Sequence, residues 1–248
     1  MNFEFPLYRR LFCRGGFGIH SPFAFDLITK VVEERCARYF YRDIEAAHRQ
    51  LTQDRTAITC GGSRTTVCRA FRRCGITPGE GKFLFRLANH CKPLTFLTAG
   101  SAMGFVPLCL TGYAAAARCI MLEEERDFAA TATRLVGGRT DVSIEIIAGA
   151  DESRAAAALT AVERLDCLYL GREVDVRTRE RLFAQCRPFL HGRSICIVAG
   201  IHGSTARKRQ WEALCLHPDV TVSLDLYTTG VLFFHPHLNR RTYRCLIR

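Results

Sequence analysis

Residues 95–105 read TFLTAGSAMGF: strand-forming residues end at Ala99, and Gly100-Ser101-Ala102-Met103-Gly104 follows. A glycine loop after a strand lets backbone N–H groups approach the phosphates or sugar of a nucleotide-like ligand, because glycine tolerates turns and close contacts that a Cβ forbids. The same pattern also serves as a tight strand-to-helix turn that binds nothing. Such loops usually have an acid close by, and here the residue before Ala99 is Thr98. Glu123, followed by Glu124 and Glu125, ends a second apolar run. A carboxylate at that place takes both hydroxyls of a ribose, and a row of acids equally suits a helix N-terminus. His202 follows a later apolar run and suits a general base at neutral pH or a structural imidazole. The thirteen cysteines are scattered, without a Cys-x-x-Cys pair or a close Cys/His cluster. That argues against a zinc site and a secreted disulfide scaffold and favours reduced, mostly buried thiols in a cytoplasmic protein.

These residues need elements to position them. From residue 94 onward short apolar runs, Leu94–Thr98, Cys119–Leu122, Val142–Ile147, Asp166–Leu170 and Ser194–Ala199, alternate with helical segments near 105–116, 124–136, 152–164 and 178–190. Continuous apolar strands separated by helices predict a parallel sheet covered on both faces. After a helix at 204–216, Val220, Val222, Leu224 and Leu226 alternate with polar residues, and Val231–Phe234 returns as a hairpin. Before residue 93 the chain reads as mainly helical. Ser21-Pro22 starts a helix whose face carries Phe23, Leu27, Ile28, Val31, Val32 and Cys36, and a second helix covers Asp43–Leu51. Ile58–Arg64 reads as a turn or loop, and helices resume at Thr66–Cys74 and Lys82–His90 with Thr77-Pro78-Gly79 as a break. The expected division is an N-terminal helical extension over 1–92 and a sheet domain over 93–248.

The chain has 248 residues, 48% of them hydrophobic, and a formal net charge of +11. It is long enough to bury a sizeable core. The basic balance is carried by Arg, with Lys only at 30, 82, 92 and 208. It suits an RNA surface or a solvated basic face. MNFEFPLYRR lacks the pattern of a secretory signal. Residues 93–117 are uncharged, but Pro107 and several Thr and Gly residues make them a poor membrane span, so no membrane partner is expected.

Five strand–helix units closed by a hairpin predict a seven-stranded, mostly parallel sheet with one antiparallel strand. The chain resembles a bacterial family of class I S-adenosylmethionine-dependent methyltransferase-like proteins. The resemblance is carried by Gly18-Ile19-His20-Ser21-Pro22-Phe23, by Gly81-Lys82-Phe83-Leu84-Phe85-Arg86-Leu87, by the Gly100–Gly104 loop, by Trp211-Glu212, and by Asp225-Leu226 with Gly230-Val231-Leu232-Phe233-Phe234. It implies an α/β, Rossmann-like methyltransferase fold with S-adenosylmethionine as cofactor. By that resemblance Thr98, Gly100, Ser101, Ala102 and Gly104 form the cofactor loop, Glu123 holds the ribose, Asp151 lies by the adenine (or caps a helix), and Gly171 follows the fourth strand.

The chain departs from the family at its acids. The family loop reads Glu-Leu-Gly-Thr-Ser-Leu-Gly, and Thr98 stands at its acid. Asp-Gly-Asn-His is replaced by Gly171-Arg172-Glu173-Val174, and Asp-Asp-Ile-His-Trp-Ser by Ala199-Gly200-Ile201-His202-Gly203-Ser204. The oxygen ligands of a magnesium site are missing, so no metal is expected and His202 is left as the candidate base. Two readings follow. One is a methyltransferase, or a descendant that only binds the cofactor, with an unidentified small-molecule or macromolecular methyl acceptor. The other is an inactive pseudoenzyme acting as an interaction or RNA-binding module.

Overall fold

A computed structural model describes residues 20–114, 116–149 and 157–247. Gly18, Ile19 and Asp151 therefore lie outside the described residues.

The N-terminal segment begins as its sequence requires. Ser21 caps α1 (Pro22–Leu27) through the Ala24 N–H, with Pro22 in the first turn. A π turn (Ile28–Val32) ends the helix at Glu33, earlier than expected. Cys36 lies beyond it, its N–H bonded to the Glu34 carboxylate instead of a helical carbonyl. α2 spans Tyr41–Gln53.

The expected loop at 58–64 is instead a hairpin of β1 (Ala57–Cys60) and β2 (Ser63–Thr66). Gly61 and Gly62 both have positive φ, which a two-residue turn of this kind requires. The strands lack apolar alternation, and outside partners hold them: Glu125 accepts the Gly61 N–H and Asp127 the Thr59 N–H, each at 2.6 Å.

α3 (Val67–Cys74) stops at Gly75 in the left-handed region. α4 (Pro78–Cys91) starts earlier than Lys82 because Thr77 and Glu80 form a capping box. Thr77 thus caps this helix, and Pro78 and Gly79 belong to its first turn.

The main sheet has eight strands rather than seven. In chain order they are β3 (Thr95–Ala99), β4 (Ala117–Glu123), β5 (Val142–Ala148), β6 (Leu165–Leu170), β7 (Leu190–Ala199), β8 (Val222–Asp225), β9 (Thr229–Phe233) and β10 (Arg241–Arg244). Their spatial order is β10-β8-β9-β7-β6-β3-β4-β5, and β9 runs antiparallel to both its neighbours. The extra strand, β10, pairs parallel to β8 at the edge. Its sequence, RTYR, hid it, since only Tyr243 is buried.

Helices α5 (Phe105–Thr111), α6 (Arg126–Val136), α7 (Val176–Cys186) and α8 (Thr205–Leu216) complete the layers. One face of the sheet buries Phe96, Cys119 and Tyr169 against the N-terminal helices, α5 and α6. The other buries Leu97, Ile120 and Leu168 against α7, α8 and Leu159. Among the described residues no helix is long and apolar enough to cross a membrane.

Candidate functional site

Strand order reverses at β3, whose neighbours β4 and β6 lead the chain in opposite directions across the sheet. Ligands in open parallel sheets sit at the carboxyl ends of such strands. Three strand-end loops meet there: Gly100–Gly104 after β3, Glu123–Glu125 after β4 and Gly171–Asp175 after β6.

The glycine loop is turned by four left-handed residues, Gly100, Ala102, Met103 and Gly104, with φ of 70°, 51°, 57° and 88°. For Ala102 and Met103 this is a costly conformation, of the kind that collects at functional loops. Internal hydrogen bonds hold it. Gly104 N–H donates to Ser101 Oγ at 2.9 Å, and the Ser101 hydroxyl donates to Glu123 Oε1. The same oxygen accepts the Ser101 N–H at 3.0 Å. Ala102 N–H donates to Glu173 Oε1 at 2.9 Å. Two carboxylates thus clasp one loop from opposite sides.

Both acids are perturbed. Burial pushes the Glu123 carboxyl from its ordinary 4.5 up to about 7, opposed by the Ser101 hydrogen bonds and assisted by the Glu173 charge. Burial also raises Glu173, against hydrogen bonds from its own amide, the Cys74 thiol and Ala102.

Beside this loop lies a cavity of about 260 Å³. Glu123, Glu124 and Gly149 line one part, Gly100, Glu173 and Val174 another, and Leu122, Phe128, Ile147 and Leu182 give apolar walls. Cys60 of the hairpin borders it as well. Glu123 is 3% exposed, yet its named hydrogen bonds all fall on Oε1. The cavity can therefore take a flat apolar group and a diol, the parts of a nucleoside.

The other sequence-derived residues fall as follows. Thr98 is fully buried, shares the sheet face of Phe96 and is not among the cavity-lining residues. Gly171 packs so close to Gly100 that a Cβ there would overlap the Gly100 carbonyl. The Gly171 carbonyl accepts two donors from the guanidinium of Arg179, a residue only 1% exposed. His202 lies on the loop after β7, away from the cavity lining. Its Nε2 pairs with Asp225 at 2.9 Å, and its ring stacks on Tyr227. Among the described residues no group of three or more His, Cys, Asp or Glu is arranged to hold a metal ion.

Sequence reasoning missed two residues, Arg172 and Glu173. Arg172 donates to Glu80 at 2.6 Å and to the Gly75 carbonyl, tying the strand-end loop to α4 and the end of α3. Glu173 returns a carboxylate to the site from two residues beyond Gly171. A signal was available: both are charged residues directly after an apolar strand run.

No family model matches the sequence, and no curated protein matches it. Solved structures do. A methyltransferase from Geobacter sulfurreducens superposes with a TM-score of 0.56 at 13% identity, covering 82% of this chain and 92% of that one. The fold is that of the class I methyltransferases. The O-methyltransferase from Bacillus cereus in complex with SAH gives 0.54 at 14% identity, over 84% and 96% of the two chains. The O-methyltransferase TomG from Streptomyces achromogenes, in complex with SAM, gives 0.52 at 16% identity over 84% and 93%. The mostly parallel sheet with its antiparallel strand β9 towards one edge is what this chain has in common with the fold.

Proposed function

We propose that this protein binds the adenosine portion of S-adenosylmethionine-type ligands in the cavity beside the glycine loop, as a descendant of the methyltransferases that does not itself transfer the methyl group. The observation that carries the reading is Glu123, a buried carboxylate at the end of β4 that lines the cavity. Its place suits a bidentate grip on the two ribose hydroxyls, with Leu122, Phe128 and Ile147 packing against the base.

When bound, S-adenosylmethionine would supply an electrophilic methyl group. The adenosine half of such a ligand suits the residues present, whereas its amino-acid half would meet Glu173 and a glycine loop whose Ser101 and Ala102 N–H groups already donate to Glu123 and Glu173. On the acceptor side, Arg172 pairs with Glu80, and His202 pairs through Nε2 with Asp225 outside the residues that line the cavity.

The test is incubation of the protein with S-adenosylmethionine, followed by thermal unfolding and by analysis of the nucleoside products. The reading predicts a raised midpoint without formation of S-adenosylhomocysteine beyond the protein-free control. Catalytic turnover on added hydroxyl or amine acceptors would refute the second half of it, and an unchanged midpoint at millimolar ligand the first.

A further inference from the structure

The donors of the glycine loop are already used. Gly100 N–H goes to the Leu122 carbonyl, Ser101 N–H to Glu123, Ala102 N–H to Glu173 and Gly104 N–H to Ser101 Oγ. Phe105 and Val106 N–H close on the Ala102 and Ser101 carbonyls. Of the amides from Gly100 to Val106, all but that of Met103 thus donate to named internal acceptors. Successive loop N–H groups are what a ligand carboxylate would seek. Here a side-chain carboxylate occupies that place. Glu173 Oε2 lies 3.2 Å from where a Cβ on Gly100 would stand, so the acid fills the space over the loop as well as its hydrogen bond. Glu123, at the end of β4 and bonded to Ser101 of this loop, adds a second acid that a further anion must approach.

We infer that Glu173 is a specificity-determining residue that makes the cavity favour adenine nucleosides whose 5′ side chain carries no carboxylate. The inference rests on the adenosine reading above. A neutral 5′-thioether reaches past Gly100 and meets Val174 and the glycine loop without needing a donor. An amino-acid side chain brings an ammonium that Glu173 can accept, but its carboxylate finds the Gly100, Ser101, Ala102 and Gly104 amides already used and faces a like charge. The penalty is a lost charge-assisted hydrogen bond together with the repulsion.

The experiment is calorimetric titration of the wild-type chain with 5′-methylthioadenosine and with S-adenosylhomocysteine, which share the adenosine and the thioether. Methylthioadenosine is expected to bind about tenfold more tightly, the equivalent of one lost charged hydrogen bond. Equal affinities, or tighter binding of S-adenosylhomocysteine, overturn the inference and leave the adenosine reading standing. Binding of neither ligand sinks the adenosine reading itself, and this inference with it. Glu173→Ala is expected to raise the affinity for S-adenosylhomocysteine by about tenfold. If that variant does not fold, the wild-type order of affinities decides the matter alone.

Discussion

The carboxylate of Glu173 accepts the N–H of Ala102 at 2.9 Å, bridging the loop after β6 to the loop after β3. In this way a residue beyond one strand occupies a backbone donor at the end of the next. The contact depends on the close packing of Gly171 against Gly100, and it links the shape of the cavity to the stability of the strand ends.

Gly171→Ala tests that packing. A Cβ at residue 171 would overlap the Gly100 carbonyl and press on Glu173. Because the obstacle is backbone, relief requires the loops to part. The substitution is expected to lower the unfolding free energy by about 2 kcal/mol, the usual scale of overpacking, in urea titrations. A neutral effect would mean that the two loops are not held together.

The Arg172–Glu80 pair fastens the helical segment before residue 92 to the carboxyl edge of the sheet. Its side chains are 20% and 10% exposed. Arg172→Met strands the Glu80 carboxylate and is expected to cost about 3 kcal/mol, while Glu80→Gln in the same chain restores much of the loss. A double-mutant cycle in denaturant measures the coupling, and additive effects would show the pair to be incidental.

Ionisation of Glu123 makes stability depend on pH. Its folded-state pKa is raised from 4.5 to about 7, so the folded state holds the proton more tightly than the unfolded state does. Stability therefore falls as pH rises from about 4.5 to about 7, and this contribution levels off above that range. Over that window the loss is on the order of 3 kcal/mol. Glu123→Gln is expected to remove this part of the slope in unfolding curves recorded from pH 5 to pH 8. An unaltered slope would assign the dependence elsewhere.

Cys60 offers a reporter of the cavity. It lines the pocket from the hairpin and remains partly exposed. Bound ligand should slow its alkylation, followed by peptide mass spectrometry, and Cys36, which is exposed and outside the pocket lining, serves as the control. Equal rates with and without ligand would place the ligand elsewhere.

Much of this architecture was legible in the sequence, because its signals are local. The apolar runs at 94–98, 142–147 and 166–170 correspond to strands, of which β3 and β6 are buried on both faces and β5 lies at the sheet edge, and Glu123 ends its strand as read. What was hidden depends on distant partners. The hairpin at 57–66 has no apolar alternation and is held by Glu125 and Asp127 from another element. β10 is a polar edge strand recognisable only from its pairing with β8. The roles of Arg172 and Glu173 follow from the approach of the three loops, which no spacing along the chain encodes. Read by position alone, Glu173 is one charged residue after an apolar run, whereas the fold brings its carboxylate to the Ala102 N–H.

The central claim is that the cavity holds an adenosine through Glu123. Calorimetric titration with 5′-methylthioadenosine, on the wild type and on Glu123→Ala, tests it most directly. The account predicts saturable binding to the wild type and a loss of about tenfold or more in the variant, since two hydroxyls lose their charged acceptor. Wild-type binding that survives Glu123→Ala unchanged, or no binding to the wild type at all, would contradict it.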